Sequence, residues 1–126
     1  MAEMNESAEN YLETILMLEK RNGRVRSVDI ANELNFSRPS VSVSMKKLRE
    51  NGSIEIDERG CITLTPNGLR TAERVYERHE VLARALAYLG VPEETALSDA
   101  CRIEHVISRD TFDKIKEHIR KMAPRD

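Results

Sequence analysis

Three side chains near the C-terminal end of the sequence have the chemistry of metal ligands. Cys101, Glu104 and His105 supply a thiol, a carboxylate and an imidazole at positions i, i+3 and i+4. In an α-helix, side chains at this spacing lie on one face. A set of sulfur, oxygen and nitrogen donors suits Fe(II), Zn(II) or Co(II) better than Mg(II) or Ca(II). The alternative is a chance polar stripe, with Cys101 buried and the other two side chains solvated, and the spacing alone leaves both interpretations open.

A complete metal site needs donors from outside this segment, because one helix supplies at most three ligands here. Candidates in the predicted first helix are Glu9, Asn10 and Glu13, and His79 is a candidate in the predicted fourth helix.

Catalysis is the weaker interpretation of the same residues. A cysteine beside a histidine can act as a nucleophile with its base. The sequence contains no HExxH, P-loop or dinucleotide-binding motif, and no glycine-rich oxyanion loop accompanies the pair. We therefore predict that the protein is not an enzyme.

The composition predicts a globular, mainly helical protein. Of its 126 residues 40% are hydrophobic, but only 4% are aromatic and none is tryptophan. No apolar run approaches the roughly 20 residues that span a bilayer, and the acidic N-terminal segment lacks the pattern of a signal peptide. We predict a cytoplasmic protein without membrane contact, whose two cysteines are more readily free thiols, or in one case a ligand, than a disulfide.

The net charge of −2 conceals one basic segment. Residues 20–50 carry eight lysines and arginines against three acidic residues, a local charge of +5. Such a segment can bind a polyanion although the whole chain is mildly acidic. A solvated helix face is the alternative, and charge alone does not separate the two.

The order of predicted elements resembles a winged helix-turn-helix. Apolar periodicity and capping residues predict helices at 7–21, 28–34 and 38–50, a hairpin at 53–64, and helices at 66–89, 93–107 and 109–122. We expect Ser7, Ser27, Ser37 and Ser108 to be N-caps. The predicted fold class is therefore mainly α, with a winged helix-turn-helix DNA-binding domain at 1–72 and a helical metal-binding and dimerisation domain at 73–126.

The third helix is the predicted recognition helix, which would enter the major groove of double-stranded DNA. Opposite its apolar edge it carries small hydroxyl, apolar and basic side chains suited to phosphates, base edges and thymine methyl groups. The predicted DNA-binding residues are Ser37, Arg38, Pro39, Ser40, Ser42, Val43, Lys46 and Lys47.

Five stretches of the sequence resemble the metal-dependent repressor family typified by the diphtheria toxin repressor and the manganese transport regulator. In chain order they cover residues 9–15, 29–42, 64–68, 78–80 and 99–108. The resemblance implies a homodimeric repressor that binds an operator and holds a metal between its DNA-binding and dimerisation domains. The apolar positions expected to form either the dimer surface or an intramolecular core are Ile103, Ile107, Phe112, Ile115 and Ile119.

The resemblance also assigns ligands residue by residue. Cys101, Glu104 and His105 fall on ligands of the distal helix, and His79 falls on the ligand of the fourth helix. Because manganese-specific members carry a carboxylate at position 101, the thiol there favours Fe(II), with Mn(II) as the second candidate.

The donors of the first helix depart from the iron-type pattern. Position 10 is a family ligand, usually Met or Asp, and is Asn10 in this chain, a weaker neutral donor. Glu13 aligns with a ligand of the manganese-type members and can supply the missing charge.

The second site of the iron-type members is expected to be absent, because Ala83 and Leu97 occupy two of its ligand positions. Because the sequence ends at Asp126, we also expect the SH3-like domain of longer members to be missing.

These expectations lead to one function and one alternative. The preferred function is a repressor of metal homeostasis genes with a divalent metal as corepressor, which shifts the protein towards its DNA-competent state. The alternative is a metal-independent winged-helix regulator that responds to a small molecule.

Overall fold

The computed structural model describes residues 6–122 and divides into two compact units between Glu73 and Arg74. Its elements are α1 (Glu6–Asn22), α2 (Ser27–Leu34), α3 (Arg38–Glu50), β1 (Ile54–Ile56), β2 (Ile62–Leu64), α4 (Pro66–Tyr88), α5 (Glu93–Ile103) and α6 (Arg109–Met122). The mainly helical, winged helix-turn-helix prediction is confirmed. No helix in residues 6–122 has the length and apolarity that a membrane span requires.

The core of the first unit is made by the apolar faces of its three helices. Leu12 and Ile15 of α1 and Ile30 of α2 are fully buried, as is Val41 of α3. Val41, Met45 and Leu48 form the buried edge of α3, as their i, i+4, i+7 spacing predicts. The opposite side of α3 therefore faces solvent.

The turn between α2 and α3 uses a left-handed residue. Asn35 has φ 59° and ψ 42°, a conformation that asparagine adopts more easily than most residues. The next residue, Phe36, donates its N–H to the carbonyl of Ala31 at 3.0 Å, and its ring meets Tyr11 edge-on at 6.1 Å. The short turn fixes where α3 begins.

Two of the expected N-caps are wrong and two are confirmed. Ser7 and Ser27 lie inside α1 and α2. The N-cap of α2 is Arg26, because the carboxylate of Asp29 accepts a hydrogen bond from its backbone N–H at 2.9 Å. Ser37 does cap α3, and the hydroxyl of Ser108 likewise accepts the N–H of Thr111 at 3.1 Å before α6.

The wing is a two-stranded antiparallel hairpin. Ile54 pairs with Leu64 and Ile56 with Ile62. In the turn, Oδ1 of Asp57 accepts hydrogen bonds from the backbone N–H groups of Arg59 and Cys61 at 2.8 and 2.9 Å. These bonds close the hairpin as an Asx-type turn.

The second unit contains most of α4 together with α5 and α6. Its buried apolar residues are Val75 and Leu82 of α4, Ala96 and Ala100 of α5, and Phe112 and Ile119 of α6. Phe112 and Ile119 are each 5% exposed, so these two candidates for the dimer surface pack mainly into the intramolecular core.

The predicted end of α5 is wrong by four residues. The helix ends at Ile103 rather than at position 107, and a turn follows. The carbonyl of Ile103 accepts the N–H groups of both Val106 and Ile107 at 3.0 Å, which tightens the chain before the cap of α6. Apolar periodicity continues through this turn and therefore did not reveal it.

Candidate metal centre

Three metal-ligand side chains meet in the second unit where α5 ends. The ligand atoms of Cys101, Glu104 and His105 all lie within 4.8 Å of one another. Cys101 is in the last turn of α5, Glu104 is its C-cap, and His105 lies in the turn that follows. The N–H of Glu104 still bonds to the carbonyl of Ala100 at 2.9 Å, so helical winding persists far enough for the spacing to bring the side chains together.

The carboxylate of Glu104 is the centre of this arrangement. Its side chain is 0% exposed, and Oε1 lies 3.0 Å from Nδ1 of His79 in α4. Oε2 lies 3.3 Å from Nε2 of His105, whose side chain is 3% exposed. A buried carboxylate is costly unless charged or polar partners surround it, and two imidazoles occupy those positions here.

The donor set fits a divalent transition metal. Cys101 offers a soft thiolate, Glu104 a hard oxygen, and His79 and His105 offer borderline nitrogens. Side chains must be deprotonated to coordinate a metal ion, so metal binding at such a cluster releases protons. Cys101, Glu104 and His105 are the residues that would hold it, with His79 next to the shared carboxylate.

The other predicted ligands lie in the first unit. Glu13 is buried in α1, with 4% of its surface exposed. Asn10 is half-buried in the same helix, and its backbone carbonyl accepts the hydroxyl of Thr14 at 2.8 Å. Ala83 and Leu97 lie in α4 and α5 and bring no donor to the positions of the iron-type second site.

The predicted DNA-binding residues all lie on the exposed side of α3 or at its cap. Exposed together are Ser37, Arg38, Pro39, Ser40, Ser42, Val43, Lys46 and Lys47. Val43 is 56% exposed, so its methyl groups are accessible on this side of α3. The hydroxyl of Ser37 accepts the N–H of Ser40 at 3.3 Å and donates to the Ser40 hydroxyl at 2.9 Å. The Ser37 hydroxyl is therefore used mainly to cap α3.

Sequence reasoning missed an arginine cluster at the wing, composed of Arg24, Arg26 and Arg59. A Cβ atom on Gly60 would lie 3.4 Å from Nη2 of Arg26. The N–H of Cys61 is the main cause of a lowered pKa at Asp57, and the charges of Arg59 and Arg24 lower it further. Three cations thus surround the hairpin turn. Arg24 and Arg26 belong to the basic segment at residues 20–50, but only the fold places Arg59 beside them.

A winged helix-turn-helix with an exposed basic helix, followed by a helical unit with a sulfur, oxygen and nitrogen cluster, defines a DNA-binding regulator with a candidate metal centre. Residues 3–61 match the family described as the iron-dependent repressor N-terminal DNA-binding domain. Residues 65–124 match the iron-dependent repressor metal-binding and dimerisation domain. The chain belongs to the iron-dependent repressor family of transcriptional regulators.

Individual relatives agree with this assignment. The transcriptional regulator MntR of Lysinibacillus sphaericus is 34% identical over 116 residues, which cover 92% of this chain and 84% of that protein. The crystal structure of IdeR from T. acidophilum has a TM-score of 0.80 at 30% identity and covers 94% of this chain. A structure described as a manganese-dependent transcriptional repressor in complex with manganese has a TM-score of 0.80 at 26% identity and covers 89% of this chain. This chain spans about half of the two solved chains, 55% and 52% respectively.

Proposed function

We propose that the protein is a transcriptional repressor that binds a double-stranded DNA operator when a divalent transition metal acts as its corepressor. It would control metal homeostasis genes, and no catalytic function is proposed. The observation that carries the proposal is the buried Glu104 carboxylate, placed between two imidazoles and within 4.8 Å of the Cys101 thiol.

The proposed metal ligands are Cys101, Glu104, His105 and His79, with Glu13 and Asn10 as further oxygen donors from α1. A bound cation would supply positive charge that offsets the thiolate and the carboxylates. Glu104 needs that charge most, because its carboxylate has no access to water. The imidazole nitrogens of His79 and His105 lie beside the same carboxylate and would be further donors to the ion.

Fe(II) is the favoured metal and Mn(II) the second candidate. The thiol of Cys101 is the reason, since sulfur ligands favour metals softer than Mn(II). Mn(II) retains support from the manganese-bound relative and from Glu13, a hard oxygen donor.

DNA binding is assigned to the exposed side of α3, supported by the arginine cluster at the wing. Ser42 and Val43 can meet base edges, while Lys46 and Lys47 can neutralise phosphates. Arg24, Arg26 and Arg59 can meet the sugar-phosphate backbone beside the groove that α3 enters. These contacts would be strongly salt-dependent, as phosphate contacts are.

A homodimer would provide the two recognition helices that an operator with two half-sites needs. An apolar groove of about 540 Å³ lies in the second unit among the last turns of α4, the end of α5 and α6. Ile103, Ile107, Ile115 and Ile119 line it, and Leu89, which also lines it, is 80% exposed. Such a groove is suited to a second copy, which would set the recognition helices about 34–36 Å apart for successive major grooves.

The test is a DNA-binding titration of the full chain with Fe(II) under anaerobic conditions, and with Mn(II), Zn(II) and excess chelator. We expect tight operator binding only with metal, and the metal that acts at the lowest free concentration identifies the corepressor. Equal affinity with metal and with chelator would contradict the proposal. That result would instead support the metal-independent regulator, especially if the purified protein contains no stoichiometric metal.

A further inference from the structure

The side chain of Arg78 in α4 forms hydrogen bonds with the backbone at the end of α5 and in the turn that follows. These partners lie more than 25 residues further along the chain. The Nη1 atom of Arg78 donates hydrogen bonds to the carbonyl oxygen of Glu104 at 3.2 Å and to that of Ile107 at 3.0 Å. The Cζ atom of the same guanidinium lies 5.5 Å from the centroid of the Phe112 ring, within the range of a cation–π contact. One side chain therefore touches both ends of the turn and the first turn of α6.

The two carbonyls belong to the part of the chain that has left the helical hydrogen-bond ladder. The last carbonyls of an α-helix have no partner within the helix and need one from elsewhere. A cation is well suited to this position, because helix C-termini carry partial negative charge. Arg78 meets this need at Glu104, the C-cap of α5, and it also binds the carbonyl of Ile107 in the turn beyond, through a planar group whose donors have fixed directions.

The same short segment of α4 also contacts the side chain of Glu104. His79, the next residue, has its Nδ1 atom 3.0 Å from Oε1 of Glu104. Arg78 and His79 thus contact one residue at its backbone and at its carboxylate. The position of the Glu104 carboxylate is fixed by both contacts, and the position of His105 depends on the same turn.

We propose that Arg78 is a positioning residue of the metal centre, which presets the turn that carries Glu104 and His105 without binding the ion itself. This inference rests on the metal-dependent function proposed above. Residues that orient metal ligands typically change metal affinity by 10- to 100-fold when they are replaced. We expect an effect of that size for Arg78.

The test compares variants of the full chain with Co(II) as the probe, in anaerobic buffer and without DNA. Cys101 bound to Co(II) gives a thiolate charge-transfer band, and chelator competition gives the affinity. Arg78→Met removes the hydrogen bonds and keeps much of the apolar side chain. Arg78→Lys keeps a cation without the planar group. Lys116→Met is the matched control, because Lys116 pairs with Glu77 of the same helix as Arg78, on a contact separate from the turn.

We expect Arg78→Met to lower the Co(II) affinity by about 10- to 100-fold and to show an altered absorption spectrum. Arg78→Lys should fall between Arg78→Met and the wild type, and Lys116→Met should match the wild type. Urea unfolding of the metal-free proteins separates this effect from a general loss of stability. Wild-type affinity and spectrum in Arg78→Met overturn the inference even if that variant unfolds more easily, and so does an equal loss in Lys116→Met.

If Arg78→Met does not fold, Arg78→Gln decides by the same criteria. Failure of the wild type to take up Co(II) would overturn both this inference and the proposed function. Uptake by the wild type with no change in a folded Arg78 variant would overturn this inference alone.

Discussion

The Nδ1 atom of His79 lies 3.0 Å from the Oε1 atom of Glu104, a carboxylate with no exposed surface. This contact joins the middle of α4 to the turn after α5, 25 residues further along the chain. The other carboxylate oxygen faces His105. A carboxylate between two imidazoles places oxygen and nitrogen donors side by side, which is the combination that a transition-metal site requires.

The first prediction concerns the two cysteines. Cys101→Ala should remove the thiolate–Co(II) band and weaken metal-dependent DNA binding, because it deletes a donor that lies within 4.8 Å of Glu104 and His105. Cys61→Ala is the control, since Cys61 is half-buried like Cys101 but lies in the hairpin region. Absorption spectra of both variants with Co(II) decide the matter. A thiolate band that persists in Cys101→Ala and disappears in Cys61→Ala would refute the assignment.

The second prediction concerns His105. His105→Ala should abolish the metal response in DNA binding while the protein stays folded, because it removes a donor of the cluster from the turn after α5 and leaves the apolar core residues in place. Circular dichroism checks the fold, and the operator titration with and without metal checks the response. A normal metal response in a folded His105→Ala protein would mean that the ligand assignment is wrong.

The winged helix-turn-helix could be predicted because its signals are local. The i, i+4, i+7 spacing of Val41, Met45 and Leu48 gave the buried edge of α3, and the hydroxyl of Ser37 gave its start. Ser27 was misjudged because two capping arrangements compete within three residues, and the Asp29 carboxylate determines the helix start.

The metal centre was only partly accessible from the sequence. The i, i+3, i+4 spacing brought Cys101, Glu104 and His105 together although α5 ends before Glu104. The end of α5 was hidden because Val106 and Ile107 continue the apolar pattern. The contacts of Arg78 could not be predicted, because its hydrogen bonds reach 26 and 29 residues along the chain and only the packing of the second unit creates them.

The third prediction concerns the neutralisation of phosphates by α3. Lys46→Ala should weaken binding to all DNA sequences alike and reduce the salt dependence by about 0.9 in the logarithmic slope for each phosphate that is no longer neutralised. Lys121→Ala in α6 is the control, because Lys121 is also exposed but lies in the second unit. Affinities at several salt concentrations, for operator and unrelated DNA, give both slopes. If the salt dependence of DNA binding by Lys46→Ala equals that of the wild type, Lys46 does not contact the DNA.

The fourth prediction concerns the close approach of α4 to the segment before the hairpin. A Cβ atom at Gly68 would lie 2.0 Å from the carbonyl oxygen of Ser53. The helix start cannot easily move away, because Thr65 donates its N–H to the same oxygen at 3.0 Å and its hydroxyl to the carbonyl of Gly52 at 2.6 Å. Gly68→Ala should therefore destabilise the protein by about 3 kcal/mol, the upper part of the range for overpacking.

The matched control for this steric effect is Gly23→Ala. Gly23 has a φ of 82°, and within residues 6–122 no atom beyond its chain neighbours lies within 4 Å of an added Cβ, so only the backbone conformation is penalised. That penalty is about 1–2 kcal/mol. Urea unfolding monitored by circular dichroism gives both free energies. A smaller loss of stability for Gly68→Ala than for Gly23→Ala would show that the start of α4 yields to the added methyl group.

The fifth prediction concerns the apolar groove of the second unit. Leu89 lines the groove and is 80% exposed, so Leu89→Lys should cost the single chain little while placing a charge where the second copy would pack. We expect a shift from dimer to monomer in sedimentation equilibrium and a loss of operator affinity, because one recognition helix alone reads only one half-site. Leu97→Lys is the control, since Leu97 is 43% exposed and does not line the groove. A dimer of wild-type strength in Leu89→Lys would place the subunit contact on another surface.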